Sequence, residues 1–186
     1  PLLRLELEQQ AFQSTLQPEE AHSTLQPEAA LSPPPLAICF PDDGAHKRFG
    51  PQFEGLGWPM VVCGKIRVGN ERQVTVKEGD AFISRHRLVI VDDLVQSGGT
   101  LISCAKVLKS LGAAAVDVFV SHVVFPNESW KKFVNEGTSG GIRRFYFTDS
   151  NPCVSDVLVA HGEPFRLLSV GPLLANVLSR NEAARV

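Results

Sequence analysis

The chain has 186 residues, 44% of them hydrophobic, with 18 basic and 20 acidic side chains and a formal net charge of -2. This length and apolar content predict one soluble globular domain with a sizeable core. Because the charges nearly balance, they exclude a general attraction to nucleic acid or to an anionic membrane, and any phosphate affinity must come from local placement of groups.

The cysteines and the hydropathy of the chain further narrow the class of protein to which it can belong. Four cysteines, Cys39, Cys63, Cys104 and Cys153, lie far apart without a CxxC pair, which predicts reduced thiols in a cytoplasmic protein and no disulfide framework. No apolar run reaches the roughly 18 residues typical of a membrane span, so no membrane partner is expected. The chain begins at Pro1 and its only methionine is Met60, so we expect a fragment whose upstream domain is absent.

The first part of the chain predicts a helical start followed by a linker. Residues 1–13 space leucines and charges at helical intervals, whereas S-T-L-Q-P-E occurs at 14–19 and again at 23–28. A polar repeat of this kind cannot bury much surface and is typical of an insertion or linker. The predicted organisation is a helical start with a low-complexity linker over 1–35 and one folded domain over 36–186.

From residue 36 onward, short apolar runs alternate with helical patterns. The predicted strands are 36–40, 60–67, 87–91, 116–124, 145–149 and 165–170. The predicted helices are 100–111, 127–135 with Asn127 as N-cap, and 172–180 with Pro172 in the first turn. Strands that are apolar at consecutive positions and alternate with helices indicate an α/β fold with a mainly parallel sheet flanked by helices. Ligands of such sheets bind at the carboxyl ends of the strands.

The segment V-I-V-D-D-L-V-Q-S-G-G-T at 89–100 places two acids after a strand and two glycines before a helix. Glycines let backbone N–H groups turn inward, and a helix start adds partial positive charge, so a phosphate monoester suits the loop. The carboxylates of Asp92 and Asp93 suit paired hydroxyls, or a divalent cation that bridges such hydroxyls. Together these groups predict a sugar phosphate as ligand, and the alternative is a capped turn that binds nothing.

The same segment resembles the phosphoribosyl-binding loop of type I phosphoribosyltransferases. Further stretches resemble one branch of these proteins, the ribose-phosphate diphosphokinases of the divergent, plant-like kind. The matching stretches are F-P-D-D-G-A-H-K-R-F at 40–49, C-G-K-I-R at 63–67, S-H-V-V-F-P-N-E-S-W at 121–130, F-T-D-S-N-P at 147–152 and L-S-V-G-P-L-L-A at 168–175. The resemblance implies a type I phosphoribosyltransferase fold and identifies the chain as the C-terminal half of such an enzyme.

The resemblance also implies a reaction. The β,γ-diphosphoryl group of ATP is transferred to the anomeric hydroxyl of ribose 5-phosphate, giving phosphoribosyl diphosphate and AMP. By the same resemblance, Asp92 and Asp93 hold the ribose hydroxyls, and the 5-phosphate is held by Ser97, Gly98, Gly99 and Thr100. Gln96 of the same loop is counted among the substrate-binding residues. The full protein is expected to be a homo-oligomer that combines this half with the missing N-terminal half.

Two further groups take their roles only from the resemblance. In P-D-D-G-A at 41–45, Asp42 is implied to bind Mg²⁺, and the loop around the diphosphate is formed by Asp43, Gly44 and Ala45. Lys65 and Arg67 are implied to stabilise the transition state at the base of a mobile loop over 68–80. Without the resemblance, the first group is an ordinary turn and the second is a pair of solvated charges.

Two alternatives stay open. A nucleobase phosphoribosyltransferase uses the same loop, but many place an acid where this chain has Gln96, which cannot accept a proton at neutral pH. Commoner synthetase loops also carry Asp at this position, so the charge around the ribose differs here. A non-catalytic subunit associated with a synthetase keeps the fold but loses the acids or the Lys-x-Arg pair, and both are present in this chain.

Overall fold

The computed structural model describes residues 2–16, 34–68, 71–135 and 137–183, without the side chains of 11–16, 67–68, 71–72 and 180–183. Within these residues one sheet contains seven strands: β1 Leu36–Phe40, β2 Met60–Val68, β3 Glu71–Glu78, β4 Arg87–Val95, β5 Ala115–Val123, β6 Ile142–Phe147 and β7 Phe165–Leu167. Their order is β3-β2-β1-β4-β5-β6-β7, and every neighbouring pair is parallel except β2 and β3. The predicted α/β fold with a mainly parallel sheet is confirmed.

Helices cover both faces of this sheet. They are α1 Leu2–Leu16, α2 Asp43–Phe49, α3 Gly99–Ser110, α4 Lys131–Val134, α5 Pro152–His161 and α6 Gly171–Ala183, with 3₁₀ turns at Gly50–Gln52, Asp80–Phe82 and Pro126–Glu128. In β1, Ala37 and Cys39 pack in one apolar cluster, whereas Ile38 and Phe40 pack in another. Alternate side chains of a strand point to opposite faces, so the two clusters are the cores on the two sides of the sheet.

Helix α1 packs on the sheet as part of this domain. Leu3 and Leu7 are buried in the cluster that contains Phe40, and the Gln10 side-chain amide donates to the Tyr146 hydroxyl at 2.9 Å. The predicted helical start is therefore present. Residues 17–33, which hold most of the predicted linker, lie outside the described residues.

A buried carboxylate joins three neighbouring strands. Asp117 of β5 is fully buried and accepts hydrogen bonds from Arg87 Nε of β4 at 2.7 Å and from Arg143 Nη2 of β6 at 2.7 Å. Arg87 also donates to the side-chain oxygen of Gln10 at 2.8 Å, which connects the network to α1. A buried charge is tolerated when it is paired and hydrogen-bonded in this way.

The structure contains three elements that the sequence does not predict: α2, α5 and β3. The turn-like P-D-D-G begins α2, because the Asp42 carboxylate accepts a hydrogen bond from the Ala45 amide at 2.9 Å and caps the helix. β3 lies within the stretch predicted as a mobile loop, of which residues 69–70 are outside the described part. Its sequence is polar but alternating, with Val74 and Val76 packed against the core.

Two predicted boundaries are wrong for local reasons. Asn127 does not cap a helix, because it has a left-handed backbone (φ 52°) inside a 3₁₀ turn, and α4 covers only 131–134. The last strand ends at Leu167 instead of 170. There Asp149 accepts hydrogen bonds from Ser169 Oγ at 2.6 Å and from the Val170 amide at 2.9 Å, which turns the chain toward α6.

We predict that replacing Asp117 by Asn lowers the free energy of unfolding by about 3 kcal/mol, because Arg87 and Arg143 lose a shared buried carboxylate. Urea unfolding measures this change. The matched control is Glu128→Gln, since the Glu128–Lys131 pair is 65% and 58% exposed and should contribute less than about 1 kcal/mol. Equal effects of the two substitutions would contradict the prediction.

Candidate functional site

The centre of the sheet brings two predicted loops to one place. β1 and β4 are adjacent and parallel, with Cys39 opposite Ile90, yet the chain leaves β1 toward β2 on one side and leaves β4 toward β5 on the other. Connections that diverge in this way leave a crevice at the carboxyl ends of the strands. Residues 41–45 follow β1 and residues 96–100 follow β4, so both segments border this crevice.

The segment 96–100 forms a cup in front of α3. Gly98 has a left-handed backbone (φ 76°), and α3 begins at Gly99 with no side-chain cap from the described residues. A cavity of about 260 Å³ is lined by Asp92 and residues 94–101. The first amides of a helix favour an anion, so the arrangement predicted for 96–100 is present at this point of the structure.

The cup is held from behind by the segment that follows β5. Ser129 Oγ donates to the Gln96 carbonyl at 3.0 Å, and Lys132 Nζ donates to the Ser97 carbonyl at 3.2 Å. The ring of Phe133 lies against Gly98, where an added Cβ would sit only 2.5 Å from ring carbons. Glycine at 98 is therefore required both by its backbone angles and by the close approach of Phe133.

Four charged side chains converge beside the cup. The pKa of the Asp92 carboxyl is raised to about 6, because burial and the nearby Asp42 carboxylate raise it more than Lys65 and Arg48 lower it. Asp42, Lys65 and Arg48 therefore lie close enough to Asp92 to act on its charge, although they belong to the segment after β1, to β2 and to α2. Two carboxylates that repel each other in this way can bind a cation or accept hydrogen bonds from hydroxyl groups.

Asp93 differs from Asp92 in its partner. Its carboxylate forms an ion pair with the Arg48 guanidinium of α2, and its amide donates to Asp92 Oδ1 at 2.9 Å. Both side chains of the pair are partly exposed. A ligand hydroxyl that reaches Asp93 must therefore share the carboxylate with Arg48.

The acid-and-glycine segment after β1 is the first turn of α2 and not an open loop. Asp42 uses one carboxylate oxygen as the helix cap, and Gly44 and Ala45 lie within the helix. Asp43 is exposed and paired with Lys77 Nζ at 2.6 Å, and the hydrogen bond from Lys77 lowers the pKa of Asp43. This correction leaves Asp42 at the crevice and directs Asp43 toward β3.

The donor set at the crevice fits the Mg²⁺ that the resemblance implies. Asp42 and Asp92 supply carboxylate oxygens, the ligand type that Mg²⁺ prefers, and Mg²⁺ usually completes its shell with water and substrate phosphate. Burial and the nearby Asp42 carboxylate raise the pKa of Asp92, and a divalent cation held by these residues would favour the charged carboxylate.

Of the predicted basic pair, Lys65 is exposed on β2, and the side chain of Arg67 lies outside the described residues. Two other basic residues reach the site without being predicted, Arg48 and Lys77. Arg48 depends on the direction of α2, and Lys77 depends on β3, neither of which the sequence pattern indicates. Gly64 allows the Lys77 side chain to cross β2, because a Cβ on Gly64 would lie 2.4 Å from Lys77 Cδ.

A larger cavity of about 820 Å³ lies elsewhere, lined mainly by apolar side chains of α1, Phe49, Phe53, Val91 and Phe119. Its lining has a single carboxylate, that of Glu8, and no glycine. The smaller cavity is therefore the candidate site, because its lining matches the chemistry of a sugar phosphate.

Residues 35–139 match the family of the phosphoribosyl transferase domain. The chain belongs to this family. Over 146 residues, 77% of its length, it is 50% identical to ribose-phosphate pyrophosphokinase 3, chloroplastic, of Oryza sativa subsp. japonica, and it covers 34% of that protein. Ribose-phosphate pyrophosphokinase 4 of the same plant is 46% identical over 145 residues, with 43% of its length covered. The chain spans less than half the length of these relatives.

Comparison with solved structures agrees on the fold. A phosphoribosylpyrophosphate synthetase from Mycobacterium smegmatis matches with a TM-score of 0.62 at 23% identity, over 80% of this chain and 45% of that one. The likeness confirms the type I phosphoribosyltransferase fold. Among the described residues, none of the helices is long and apolar enough to cross a membrane. The relatives named chloroplastic and mitochondrial are organellar proteins, so the cytoplasmic location stays a prediction for this chain.

We predict that Gly98→Ala destabilises the protein by about 1–2 kcal/mol from its left-handed backbone alone, and by more because of the contact with Phe133. Thermal unfolding tests this. Gly99→Ala is the matched control, because its φ is not left-handed and its added Cβ would lie 3.9 Å from the nearest side-chain atom, Ser97 Oγ. If both substitutions cost the same stability, the described geometry of the cup is wrong.

The raised pKa of Asp92 predicts a pH dependence of stability. The stabilisation from a protonated Asp92 is complete below the unfolded-state pKa of about 3.9 and is lost as pH rises through about 6. Asp92→Asn should therefore raise the free energy of unfolding by about 1–2 kcal/mol at pH 7.5, allowing for solvent screening of a half-buried group, and by less at pH 4.5. Urea unfolding at both pH values measures the difference.

The control for this experiment is Asp156→Asn, on an exposed position of α5. It should give no gain that grows between pH 4.5 and 7.5. A constant effect of Asp92→Asn across this range would rule out the raised pKa of Asp92.

Proposed function

We propose that this chain contains the ribose 5-phosphate-binding half of a ribose-phosphate pyrophosphokinase, an enzyme that transfers diphosphate from ATP to ribose 5-phosphate. The observation that carries the proposal is the uncapped start of α3 beside Asp92, at the crevice between β1 and β4. The 50% identity to a ribose-phosphate pyrophosphokinase supports the same conclusion. Because the chain covers 34% of that relative, the activity is proposed for the longer protein.

In this proposal the cup binds the 5-phosphate. Charge-assisted hydrogen bonds contribute roughly 1.5–3 kcal/mol each, so the backbone amides and hydroxyls of the cup can hold an anion without a lysine. The binding residues are Ser97, Gly98, Gly99 and Thr100. Gln96 lies at the entrance as a neutral side chain, so it does not repel the phosphate as an aspartate would.

The sugar ring then extends from the cup toward the acids. Asp92 is ionised above pH 6, and it accepts hydrogen bonds from ribose hydroxyls. Asp93 accepts a second hydroxyl while Arg48 holds its carboxylate in place. This arrangement orients the anomeric hydroxyl toward the space near Asp42 and Lys65, which is where the diphosphate must arrive.

The transfer requires charge neutralisation more than covalent chemistry by the protein. The anomeric oxygen forms a bond to the β-phosphorus of ATP as the bond from that phosphorus to the oxygen of AMP breaks. Lys65 and Arg67 stabilise the negative charge that develops on the phosphate oxygens. Mg²⁺ bound at Asp42, when present, neutralises further phosphate charge, and Asp43, Gly44 and Ala45 border the diphosphate.

The remaining parts of the site belong to the longer protein in this proposal. The adenine of ATP requires contacts that the segment preceding this domain would supply, and a homo-oligomer would bring such segments together. The nucleobase phosphoribosyltransferase alternative is less favoured, because Gln96 cannot serve as a base. The non-catalytic alternative is less favoured because the chain keeps the acids Asp42 and Asp92 and the Lys65-x-Arg67 pair.

Binding of ribose 5-phosphate to the 186-residue chain tests the cup directly by isothermal titration calorimetry. We expect weak but measurable binding by the original chain. Ser97→Asp should reduce the affinity by about 10-fold or more, because repulsion between a carboxylate and an adjacent phosphate costs more than about 1 kcal/mol. Ser110→Asp, at the other end of α3, should bind like the original chain. Unchanged binding by Ser97→Asp would remove the cup from the site.

Release of AMP from ATP and ribose 5-phosphate tests whether the 186-residue chain needs the rest of the longer protein for activity. We expect little or no turnover from the 186-residue chain and restored turnover when the sequence is extended to the length of its relatives. Rapid turnover by the 186-residue chain alone would contradict the proposal that the site is shared with another segment.

A further inference from the structure

Three of the four cysteines form a buried cluster on the α3 side of the sheet. Cys39 of β1, Cys63 of β2 and Cys104 of α3 are each fully buried. The Sγ–Sγ distances are 3.4 Å for Cys63–Cys104, 3.7 Å for Cys39–Cys63 and 3.9 Å for Cys39–Cys104. The sulfurs therefore form a nearly equilateral triangle in which each sulfur contacts the other two.

The size of the triangle suits a metal ion. A point equidistant from the three sulfurs lies about 2.1 Å from each, and a zinc–sulfur bond measures about 2.3 Å. An ion with bonds of this length would sit slightly out of the sulfur plane without any movement of the backbone.

The donor set selects the class of ion. Among the described residues, no carboxylate or imidazole joins the group, whose members are the three cysteines alone. All-sulfur coordination disfavours hard ions such as Mg²⁺ and selects soft, thiophilic ions. Structural zinc sites are almost always four-coordinate, and no fourth ligand is present here. Three sulfurs without a fourth donor fit Cu(I), which accepts trigonal thiolate coordination.

Metal binding at this cluster is coupled to proton release. The thiolate is the form of cysteine that binds metals, so binding of the ion replaces the thiol protons, which are released to solvent.

We propose that Cys39, Cys63 and Cys104 form a trigonal binding site for one soft monovalent cation, Cu(I), beneath the crevice. The site would not belong to the diphosphate transfer itself and does not depend on the proposed function. Each ligand lies next to a segment that borders the crevice: Cys39 before Asp42, Cys63 before Lys65, and Cys104 one turn after the cup. Occupancy would therefore fix these three segments relative to one another.

The experiment uses the Cys153→Ala variant of the 186-residue chain, because Cys153 is the exposed cysteine and its removal leaves only the cluster thiols. Cu(I) is added under anaerobic conditions in competition with a chromophoric chelator. We expect one equivalent to bind, and X-ray absorption should find three sulfur neighbours at about 2.2–2.3 Å. The bound form should also unfold at a higher temperature.

Substitution of one ligand completes the test. Cys63→Ala in the same background should weaken Cu(I) binding by about 100-fold or more, whereas Cys153→Ala alone should bind like the original chain. Cooperative thermal unfolding of each variant establishes that it is folded. Less than about one tenth of an equivalent bound, fewer than three sulfur neighbours, or unchanged affinity in a folded Cys63→Ala protein would each overturn the proposal.

Discussion

The parallel pairing of β1 with β4 is the constraint on which the rest of this structure depends. The two strands are in register from the pair Leu36 and Arg87 to the pair Cys39 and Ile90. Their carboxyl ends therefore lie at the same edge of the sheet. Because their connections run to opposite sides, no crossover helix covers this edge. The cup and the N-terminal turn of α2 meet there although about fifty residues separate them in the chain. The buried Asp117 carboxylate, paired with Arg87 and Arg143, holds the opposite ends of β4, β5 and β6 together.

The crevice contains an electrostatic conflict that favours a ligand. Burial is the main reason that the pKa of Asp92 is raised to about 6, repulsion from Asp42 adds to the rise, and Lys65 and Arg48 compensate only in part. A ligand that brings hydroxyl donors or a cation removes this conflict when it binds, so part of the binding free energy comes from relief of repulsion within the protein. The uncapped amides at the start of α3 also favour ligand binding, because they attract an anion. A single molecule with hydroxyl groups and a phosphate can donate hydrogen bonds to the carboxylates and place its anion at the start of α3.

Local patterns predicted those parts of the fold in which local and tertiary preferences agree. β1 and α3 are apolar or amphipathic runs with clear glycine and acid boundaries, and the cup lies between β4 and α3. β4 was predicted to end at residue 91, before the two acids, but it continues through Asp92 and Asp93 to Val95. The parts that failed depend on contacts distant in sequence. β3 forms because Val74 and Val76 pack on the core beside β2. The polar composition of this stretch did not predict a strand. α2 was not predicted, because Asp42 and Gly44 are as common in a turn as at the start of a helix. Arg48 and Lys77 could not be assigned, since their directions follow from these two elements.

The sulfur cluster and the crevice are connected through the geometry of single strands. Successive side chains on a strand alternate between faces, so Cys63 and Lys65 lie on the same face of β2, and the buried sulfur and the exposed cation belong to one row. Cys104 lies on α3, whose first residues form the cup. Any change in sulfur spacing must therefore be absorbed either by the backbone under Lys65 or by α3, because a densely packed interior transmits displacement instead of absorbing it. A thiophilic ion at the cluster would set the distance between the cup and β2, and this distance decides whether Lys65 reaches a ligand held by the cup.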